Sequence, residues 1–377
     1  MKSKKSFADI LAEERTALKK RMSAKVPEWD GLELSFPESI NVEQCSSSAT
    51  AAYKASIALR LAGPGFSVAD LTGGLGVDSW AFARSARKVL YNEMNPALLE
   101  AVKSNFNILG LDNVTFSCLE ACPGTLGRIL GDTRPDLIFL DPARRSADGR
   151  KVFLLEDCSP DILSMQQALE DASMHIMIKV SPMADITMLS RRLGGSLKEV
   201  HILEVSGECK ELLLILEKGH EGGYSTTVAE CGRGAAMTFG EKREACMIPA
   251  PCAEWLAGKW LFEPGSALMK SGRHLEACAG MFKLAPSTHL YVCGEPVAGL
   301  SPFGRFHLIR EVHPLDKKAL KSIGGKYPRC EVTARNIPMT SDGLRKKLMV
   351  RPGPDAHIYG ITGLFADGGQ QRLLLVV

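Results

Sequence analysis

An alternation of strand-like and helix-like segments between residues 68 and 216 constrains the fold of this 377-residue chain more than any other feature. Short apolar runs recur there, and helical patterns separate the first five of them. Because parallel neighbours need a long connection, that order predicts parallel strands joined by crossover helices. The last two runs meet at Gly207 with no room for a helix, so we expect an antiparallel hairpin. The runs are SVADL, KVLYNE, NVTFSC, PDLIFLD, HIMIKVS, VHILEVS and ELLLILE.

A chain of this length exceeds one ordinary core, so we expect several domains. An amphipathic helix is predicted from Phe7 to about Met22, and a second helix begins near Ser46 to Ser48 and ends at Gly63. Gly219 to Gly223 is expected to be a linker. The predicted divisions are a helical region over residues 1–62, an α/β core over 63–217, a small α+β domain over 218–297, for which a ferredoxin-like fold is one option, and a final α+β domain over 298–377.

Composition excludes several classes of protein. Hydrophobic residues make up 45% and charged residues 24%, as in globular proteins. No apolar run approaches the roughly 18 residues that span a bilayer, and the N-terminal segment does not resemble a signal peptide, so we expect a cytosolic protein without a membrane partner. The 11 cysteines form no C-x-x-C pair, which favours reduced, mostly buried thiols and no metal site.

A glycine-rich turn follows the first strand. It reads Asp70-Leu71-Thr72-Gly73-Gly74-Leu75-Gly76 and precedes a predicted helix. Glycines at such a turn let the backbone approach a ligand, although close packing of strand on helix requires the same residues. The G-x-G here continues to Ser79, where a dinucleotide fingerprint needs a third glycine. An acidic residue before the turn suits a cationic ligand, so an NAD-dependent oxidoreductase is disfavoured.

Acidic side chains also follow the next strands. Glu93 lies at the end of the second strand, where a carboxylate can accept both ribose hydroxyls of a nucleoside. The third strand ends near Glu120 and Ala121, which could meet an adenine edge. The fourth ends at Asp141, in the sequence Asp-Pro-Ala-Arg. A solvated strand end remains the alternative for Glu93.

The segment from Val68 to Gly76, together with Glu93, Glu120 and the Asp141 to Arg144 run, closely resembles the ordered motifs of class I methyltransferases. The resemblance implies a Rossmann-like sheet of five parallel strands plus a terminal antiparallel hairpin, and S-adenosylmethionine as cofactor. It places the methionine part of the donor at Asp70 and the glycine turn, and the ribose at Glu93. A segment around Gln44 and Ser47 resembles the pre-motif that closes over the donor in RNA methyltransferases, although Ser47 could simply cap the second helix. The predicted cofactor-binding residues are Gln44, Ser47, Asp70, Thr72, Gly73, Gly74, Gly76, Asp78, Glu93, Met94, Glu120, Ala121 and Asp141.

The predicted acceptor side begins at Asp141. Nucleic-acid methyltransferases often carry D/N-P-P-x at this place, whereas this chain has alanine as the second residue after the acid. Asp141 could orient a nucleophilic nitrogen or accept its proton, or could only hydrogen-bond the turn. Pro182 stands where enzymes that methylate carbon 5 of uridine carry a cysteine, which argues against a covalent route. The predicted catalytic residues are Asp141, Pro142, Arg144 and Lys179.

Positive charge is concentrated in the tail. From Ala298 onward there are 13 Lys or Arg against 6 Asp or Glu, which suggests a polyanionic partner. This tail resembles the THUMP-like domain of a bacterial methyltransferase family, and the resemblance implies that its basic residues face an RNA backbone. Our hypothesis is an enzyme that methylates a base, with nitrogen favoured, in tRNA or rRNA. Acceptors of other kinds (DNA, protein or a small molecule), an inactive binding module, and simple solvation of the basic helix remain open, as does the oligomeric state. The predicted RNA-binding residues are Arg144, Arg145, Arg335, Arg345, Lys346 and Lys347.

Overall fold

The structure is a computed structural model that describes residues 7–144, 155, 158–241 and 246–377. The chain forms two compact units, Met1–Glu241 and Lys242–Val377. In the first unit the helices are α1 Phe7–Lys25, α2 Ser39–Gln44, α3 Ser48–Ala62, α4 Val77–Ala83, α5 Pro96–Ile108, α6 Pro123–Leu130, α7 Ile162–Ala172 and α8 Ile186–Leu193. The strands are β1 Ser67–Asp70, β2 Lys88–Asn92, β3 Val114–Ser117, β4 Leu137–Leu140, β5 Ala143–Arg144, β6 Cys158–Ser159, β7 His175–Val180, β8 Leu197–Val205, β9 Glu208–Glu217, β10 Ser225–Glu230 and β11 Ala235–Phe239.

A nine-stranded mixed sheet forms the centre of this unit, in the order β11-β10-β8-β9-β7-β4-β1-β2-β3. The five strands predicted to be parallel are parallel, with register pairs such as Asp70 with Tyr91 and Asp70 with Phe139. β9 runs antiparallel to both β7 and β8, which confirms the predicted hairpin. Because the carboxyl ends of β1 to β4 meet at one edge, the polar residues that follow them are brought together there.

The boundary predicted between residues 217 and 218 is wrong. β10 pairs in parallel with β8, and β11 pairs antiparallel with β10, so residues 225–239 extend the main sheet. Thr226 to Glu230 are buried in that position. The glycines at 219, 222 and 223 lie in the connection between two strands of one sheet, not in a linker between domains. The local sequence does not distinguish a connection within one sheet from a linker between domains, because short glycine-rich segments occur in both.

Three α-helices precede the sheet. Two of them, α1 and α3, correspond to the two predicted helices. Ser47 caps α3 by accepting from the backbone N–H of Thr50, and Gly63 ends the helix at a φ of 80°. The buried side of this region, including Met22, Trp29 and Ala58, shares a core with α4 and the sheet. The N-terminal region therefore packs as part of the same unit.

The second unit contains two further sheets and four α-helices in its described residues. The helices are α9 Ser266–Ser271, α10 His274–Ala277, α11 Lys317–Lys326 and α12 Ser341–Leu348. A five-stranded sheet has the order β12-β14-β15-β13-β16, made of Ile248–Pro249, Phe282–Lys283, Tyr291–Cys293, Trp260–Pro264 and Gly304–Leu308. A four-stranded sheet has the order β17-β20-β19-β18, made of Glu311–Pro314, Gln370–Val376, Arg351–Leu364 and Arg329–Arg335.

The four-stranded sheet is covered on both faces. Leu344 and Ile323 bring α12 and α11 onto one face, where Ile358 and Leu374 are buried. Tyr359 and the alternate side chains of β19 and β20 join a second core with the five-stranded sheet. β16 was predicted to lie in the final domain, yet it pairs with β13, so the five-stranded sheet continues past residue 298.

All eleven cysteines lie among the described residues and none is in a disulfide, but only Cys278 and Cys330 are buried. The expectation of mostly buried thiols is therefore wrong. Hydrophobicity alone predicts burial, whereas six of these side chains lie half-buried at element ends and edges and three are exposed. Among the described residues, no helix combines the length and the apolar composition needed to cross a bilayer.

Candidate active site

The glycine-rich turn joins β1 to α4 and is packed tightly. A Cβ at Gly73 would lie 2.1 Å from the ring of Tyr91, and one at Gly76 would lie 2.6 Å from the ring of Phe106. Gly76 also has a φ of 78°, in the region that favours glycine. The Tyr91 hydroxyl donates to the Gly74 carbonyl. Packing therefore accounts for Gly73 and Gly76, and the turn's shape is set before any ligand arrives.

Asp70 lies beneath this turn and is not in the wall of the cavity. It is 1% exposed, and its two oxygens accept from Ser79 Oγ at 2.6 Å and from the Thr72 N–H at 3.1 Å. Burial raises its pKa to about 7, against the opposing effect of the Ser79 hydrogen bond. Asp70 is predicted to contact a ligand, but in the structure its carboxyl group holds the turn, because its two oxygens bind Ser79 and Thr72.

A cavity of about 350 Å³ opens above the turn, at the carboxyl ends of the parallel strands. Most of the predicted cofactor-binding residues line it, the exceptions being Asp70 and Ser47, which is occupied as the cap of α3. Additional lining comes from Asn41, Cys45 and Ser46 on one side and from Asn95 and Leu98 on another. The predicted residues in the wall are Gln44, Thr72, Gly73, Gly74, Gly76, Asp78, Glu93, Met94, Glu120, Ala121 and Asp141.

Glu93 is held at the tip of β2. One carboxylate oxygen accepts from the Gly74 N–H at 3.0 Å and the other from the Asn95 N–H at 2.8 Å. Neighbouring Asn92 is buried and donates to the carbonyls of Leu71 and Leu119. These bonds tie the ends of β1, β2 and β3 together, and each Glu93 oxygen keeps a further lone pair for a hydroxyl in the cavity.

Asp141 is fixed from both sides at the end of β4. Its backbone N–H donates to Thr72 Oγ1 at 2.6 Å, and its Oδ2 lies 2.6 Å from Lys179 Nζ. Burial alone would lower the pKa of Lys179, but Asp141 and Glu211 outweigh it and raise that pKa above its usual range. Lys179 therefore faces two carboxylates, those of Asp141 and Glu211.

The other predicted catalytic residues do not line the cavity. Pro142 and Lys179 do not belong to the cavity wall, and Arg144 pairs through its backbone with Cys158 in a short antiparallel ladder. Arg145 lies outside the described residues. The ladder brings Ser159 and Pro160 into the wall. No signal in the sequence could have found these two, because a long connection separates them from Asp141.

Sequence reasoning also missed a buried ionic cluster behind the wall. Lys54 is fully buried, and its Nζ lies 2.8 Å from Asp78 Oδ1 and 2.7 Å from Glu211 Oε1. Ser46 Oγ donates to Asp78 Oδ2 at 2.7 Å. A lysine inside the small-residue run of α3 and a glutamate opening an apolar strand were the available signals, since buried charges occur in pairs.

In the second unit the predicted RNA-binding residues are not equivalent. Arg335 contacts Glu263 at 2.9 Å and Arg345 contacts Asp342 at 2.6 Å. Lys346 and Lys347 are exposed on α12. Further exposed lysines, which are not among the predicted residues, lie on the adjoining helix α11: Lys317, Lys318 and Lys321.

Comparisons with known proteins agree with this organisation. Residues 304–376 match the THUMP domain-like family, and residues 260–300 match a ferredoxin-like domain family. The crystal structure of a proposed methyltransferase from Porphyromonas gingivalis W83 is 27% identical, covers 96% of this chain and 88% of its own, and superposes with a TM-score of 0.81. The chain is a class I methyltransferase with a THUMP-like domain.

Curated relatives of this methyltransferase support the same assignment. Proteins from two Mycobacterium tuberculosis strains, each named an uncharacterized S-adenosylmethionine-dependent methyltransferase, are 25% identical over 290 residues. The match spans 75% of this chain and 74% of the relatives. The predicted fold and enzyme class are confirmed, and the predicted donor agrees with the one in the relatives' names.

Proposed function

We propose that this enzyme transfers the methyl group of S-adenosylmethionine to a base nitrogen in tRNA or rRNA. The observation that carries the donor assignment is the charge of the cavity. Four carboxylates line it, from Asp78, Glu93, Glu120 and Asp141, and its described lining contains no Lys, Arg or His. The donor combines an ammonium, a sulfonium and a carboxylate, so its net positive charge suits such a wall, whereas the phosphates of a dinucleotide would be repelled.

Within this proposal each wall segment has a part of the donor to bind. The free lone pairs of Glu93 accept the ribose hydroxyls. Glu120 and Ala121 meet the adenine edge at the end of β3. The carboxylate of the methionine part is received by backbone N–H groups in the first turn of α4, because the glycine N–H groups already donate to Asn92, Glu93 and Gly73. Asp70 acts indirectly, because it holds the turn from below.

The acceptor nitrogen is proposed to sit beside Asp141. Its lone pair forms the new N–C bond while the C–S bond breaks and leaves its electron pair on sulfur. The nitrogen then releases a proton, which the carboxylate of Asp141 can accept or pass to water. The ion pair with Lys179 fixes the direction of that carboxylate. No covalent intermediate with the enzyme is needed.

RNA is the proposed substrate because exposed lysines lie on α11 and α12, two adjoining helices of the THUMP-like domain, where they can bind phosphates. Phosphate contacts of this kind supply affinity without reading sequence. Arg335 and Arg345 have acidic partners of their own, so the exposed lysines are the stronger candidates. The cytosolic location expected from the sequence stays a prediction.

Calorimetric titration with S-adenosylmethionine tests the donor site. We expect micromolar binding by the unaltered protein and a loss of at least about tenfold in Glu93→Ala, because two ribose hydroxyls lose their acceptor. Glu100→Ala is the matched control, since Glu100 is exposed on α5 and pairs with Lys103 on the surface. Absence of binding by the unaltered protein, or tighter binding of NAD, would refute the donor assignment.

Transfer of labelled methyl groups tests the acceptor. Bulk bacterial tRNA and rRNA that lack modifications, duplex DNA and a protein extract would be incubated separately with the enzyme and labelled donor. We expect label in RNA alone, and a decrease of about 100-fold or more in the kcat of Asp141→Asn, measured at saturating donor so that a change in donor affinity does not contribute. Label in DNA, protein or small molecules in place of RNA would refute RNA as the acceptor. A trapped covalent adduct between RNA and a cysteine would refute direct transfer.

A further inference from the structure

A charged side chain with no exposure to water lies behind the donor cavity. Lys54 is 0% exposed, and it contacts Asp78, Glu211 and Ser46 at 2.8, 2.7 and 2.7 Å. Asp78 lines the cavity, whereas Lys54 and Glu211 do not. Lys54 therefore connects a cavity-wall carboxylate to one that lies behind the wall.

Glu211 extends this connection toward the acceptor side. Its second oxygen lies 4.0 Å from Lys179 Nζ, and Lys179 contacts Asp141 at 2.6 Å. The five groups alternate in sign, in the order Asp78, Lys54, Glu211, Lys179, Asp141. Both ends of this chain, which we term the charge bridge, are in the cavity wall.

The surroundings favour the charged forms of Lys54, Asp78 and Lys179. Burial alone would lower the pKa of Lys54, but Asp78 and Glu211 outweigh it and raise that pKa. Burial alone would raise the pKa of Asp78, but Lys54 and Lys179 outweigh it and lower that pKa. With two ammonium groups against three carboxylates, the bridge carries a net charge of −1.

Buried ion pairs seldom stabilise a fold more than apolar side chains of the same size would. A five-membered bridge that ends at the cavity on both sides therefore suggests a role in the site. The donor brings one positive charge, which would neutralise the bridge. After the methyl group leaves, the sulfur is an uncharged thioether, and the bridge again lacks a counter-charge.

We infer that Glu211 and Lys54 are positioning residues that set the charge of the donor cavity, so that it favours the sulfonium donor over the uncharged demethylated product. The inference rests on the proposed function, because it requires that S-adenosylmethionine occupies this cavity. Glu211 acts through the two lysines and touches neither donor nor acceptor. The consequence is a site that binds the donor and releases the product without a change of fold.

Affinities for S-adenosylmethionine and S-adenosylhomocysteine, measured by calorimetry on the full chain, test the inference. In Glu211→Gln the net charge of the bridge rises from −1 to 0, and we expect the preference for donor over product to fall by about tenfold. In Lys179→Met it falls to −2, and we expect the preference to rise. A packing defect would weaken both ligands alike, so opposite shifts of the two variants identify a charge effect.

Glu208→Gln is the matched control, because Glu208 is on the same strand and its side chain is 72% exposed. Its preference should equal that of the unaltered protein. If the unaltered protein binds donor while neither bridge variant changes the preference, or both shift it in one direction, the inference is wrong and the proposed function stands. If Glu211→Gln does not fold, as judged by circular dichroism, Lys179→Met decides: a raised preference supports the inference, and an unchanged or lowered one overturns it. Failure of the unaltered protein to bind donor would instead refute the proposed function.

Discussion

The two units of this methyltransferase use lysine in opposite ways. In the first, Lys54 is wholly buried and contacts two carboxylates. In the second, Lys346 and Lys347 are exposed on the last turn of α12. A buried charge interacts strongly with few partners, because little water screens it, whereas exposed charges act weakly, additively and with dependence on salt. Single residues should therefore matter behind the donor cavity, and only groups of residues should matter on the basic helices.

The largest effect expected from this contrast is on stability. Lys54→Met keeps the length of the side chain but leaves Asp78 and Glu211 buried without their shared cation. We expect a decrease of about 3 to 5 kcal/mol in the free energy of unfolding, measured with urea. Lys103→Met is the control, since its side chain is 39% exposed and pairs with Glu100 on the surface. Equal losses in the two variants would show that burial does not separate these lysines.

A second effect concerns Asp70, whose pKa of about 7 is raised by burial. The unfolded chain has a carboxyl pKa of about 3.9. Between these values the folded state holds a proton that the unfolded state has lost, so the contribution of Asp70 to stability is complete below about pH 4 and lost as the pH rises to about 7. Its magnitude is on the order of 2 to 4 kcal/mol.

Urea denaturation of Asp70→Asn between pH 4 and 8 measures this contribution. The variant should lose less stability than the unaltered protein as pH rises across that range. The control is Asp161→Asn, because Asp161 caps α7 and is not part of the glycine-rich turn. Parallel curves for Asp70→Asn and the unaltered protein would mean that Asp70 is ionised throughout.

A smaller difference in stability is expected between alanine substitutions at two glycines, Gly76 in the glycine-rich turn and Gly110 after α5. Gly76 and Gly110 have similar φ values, 78° and 69°, but a Cβ would strike Phe106 only at Gly76. We expect Gly76→Ala to destabilise by about 1 to 3 kcal/mol more than Gly110→Ala, because overpacking adds to the backbone strain. Thermal unfolding of both variants measures the difference. A similar loss in each would leave backbone strain as the whole cause.

The smallest effect is expected on the basic helices. Lys346→Ala with Lys347→Ala should weaken binding of bulk tRNA by about tenfold at low salt and by less at higher salt, with a salt slope reduced by about 1 to 2. Lys19→Ala with Lys20→Ala removes the same charge from the exposed side of α1 and is the control. Filter binding at several salt concentrations measures both. A loss that does not depend on salt would contradict a phosphate contact.

The sequence alone predicted the parallel strands, the hairpin at Gly207 and most of the cavity wall. These features are local: strand ends, glycine turns and caps such as Ser47 depend on a few neighbouring residues, and parallel topology places consecutive strand ends at one edge. The same local patterns predicted Glu93 and Asp141 as site residues, and both line one cavity in the structure. It misplaced Asp70, because the pattern shows an acid before the turn but not the direction of its side chain.

Only the tertiary structure decided which charges meet. Lys54 and Glu211 are 157 positions apart in the chain, and Ser159 reaches the wall through the ladder of β5 and β6. Residues 225–239 join the main sheet through pairing with β8, which no local pattern specifies. Burial and long-range pairing depend on how elements pack, so the sequence determined the elements and their strand-end residues, while packing determined the charge bridge and the extent of the sheet.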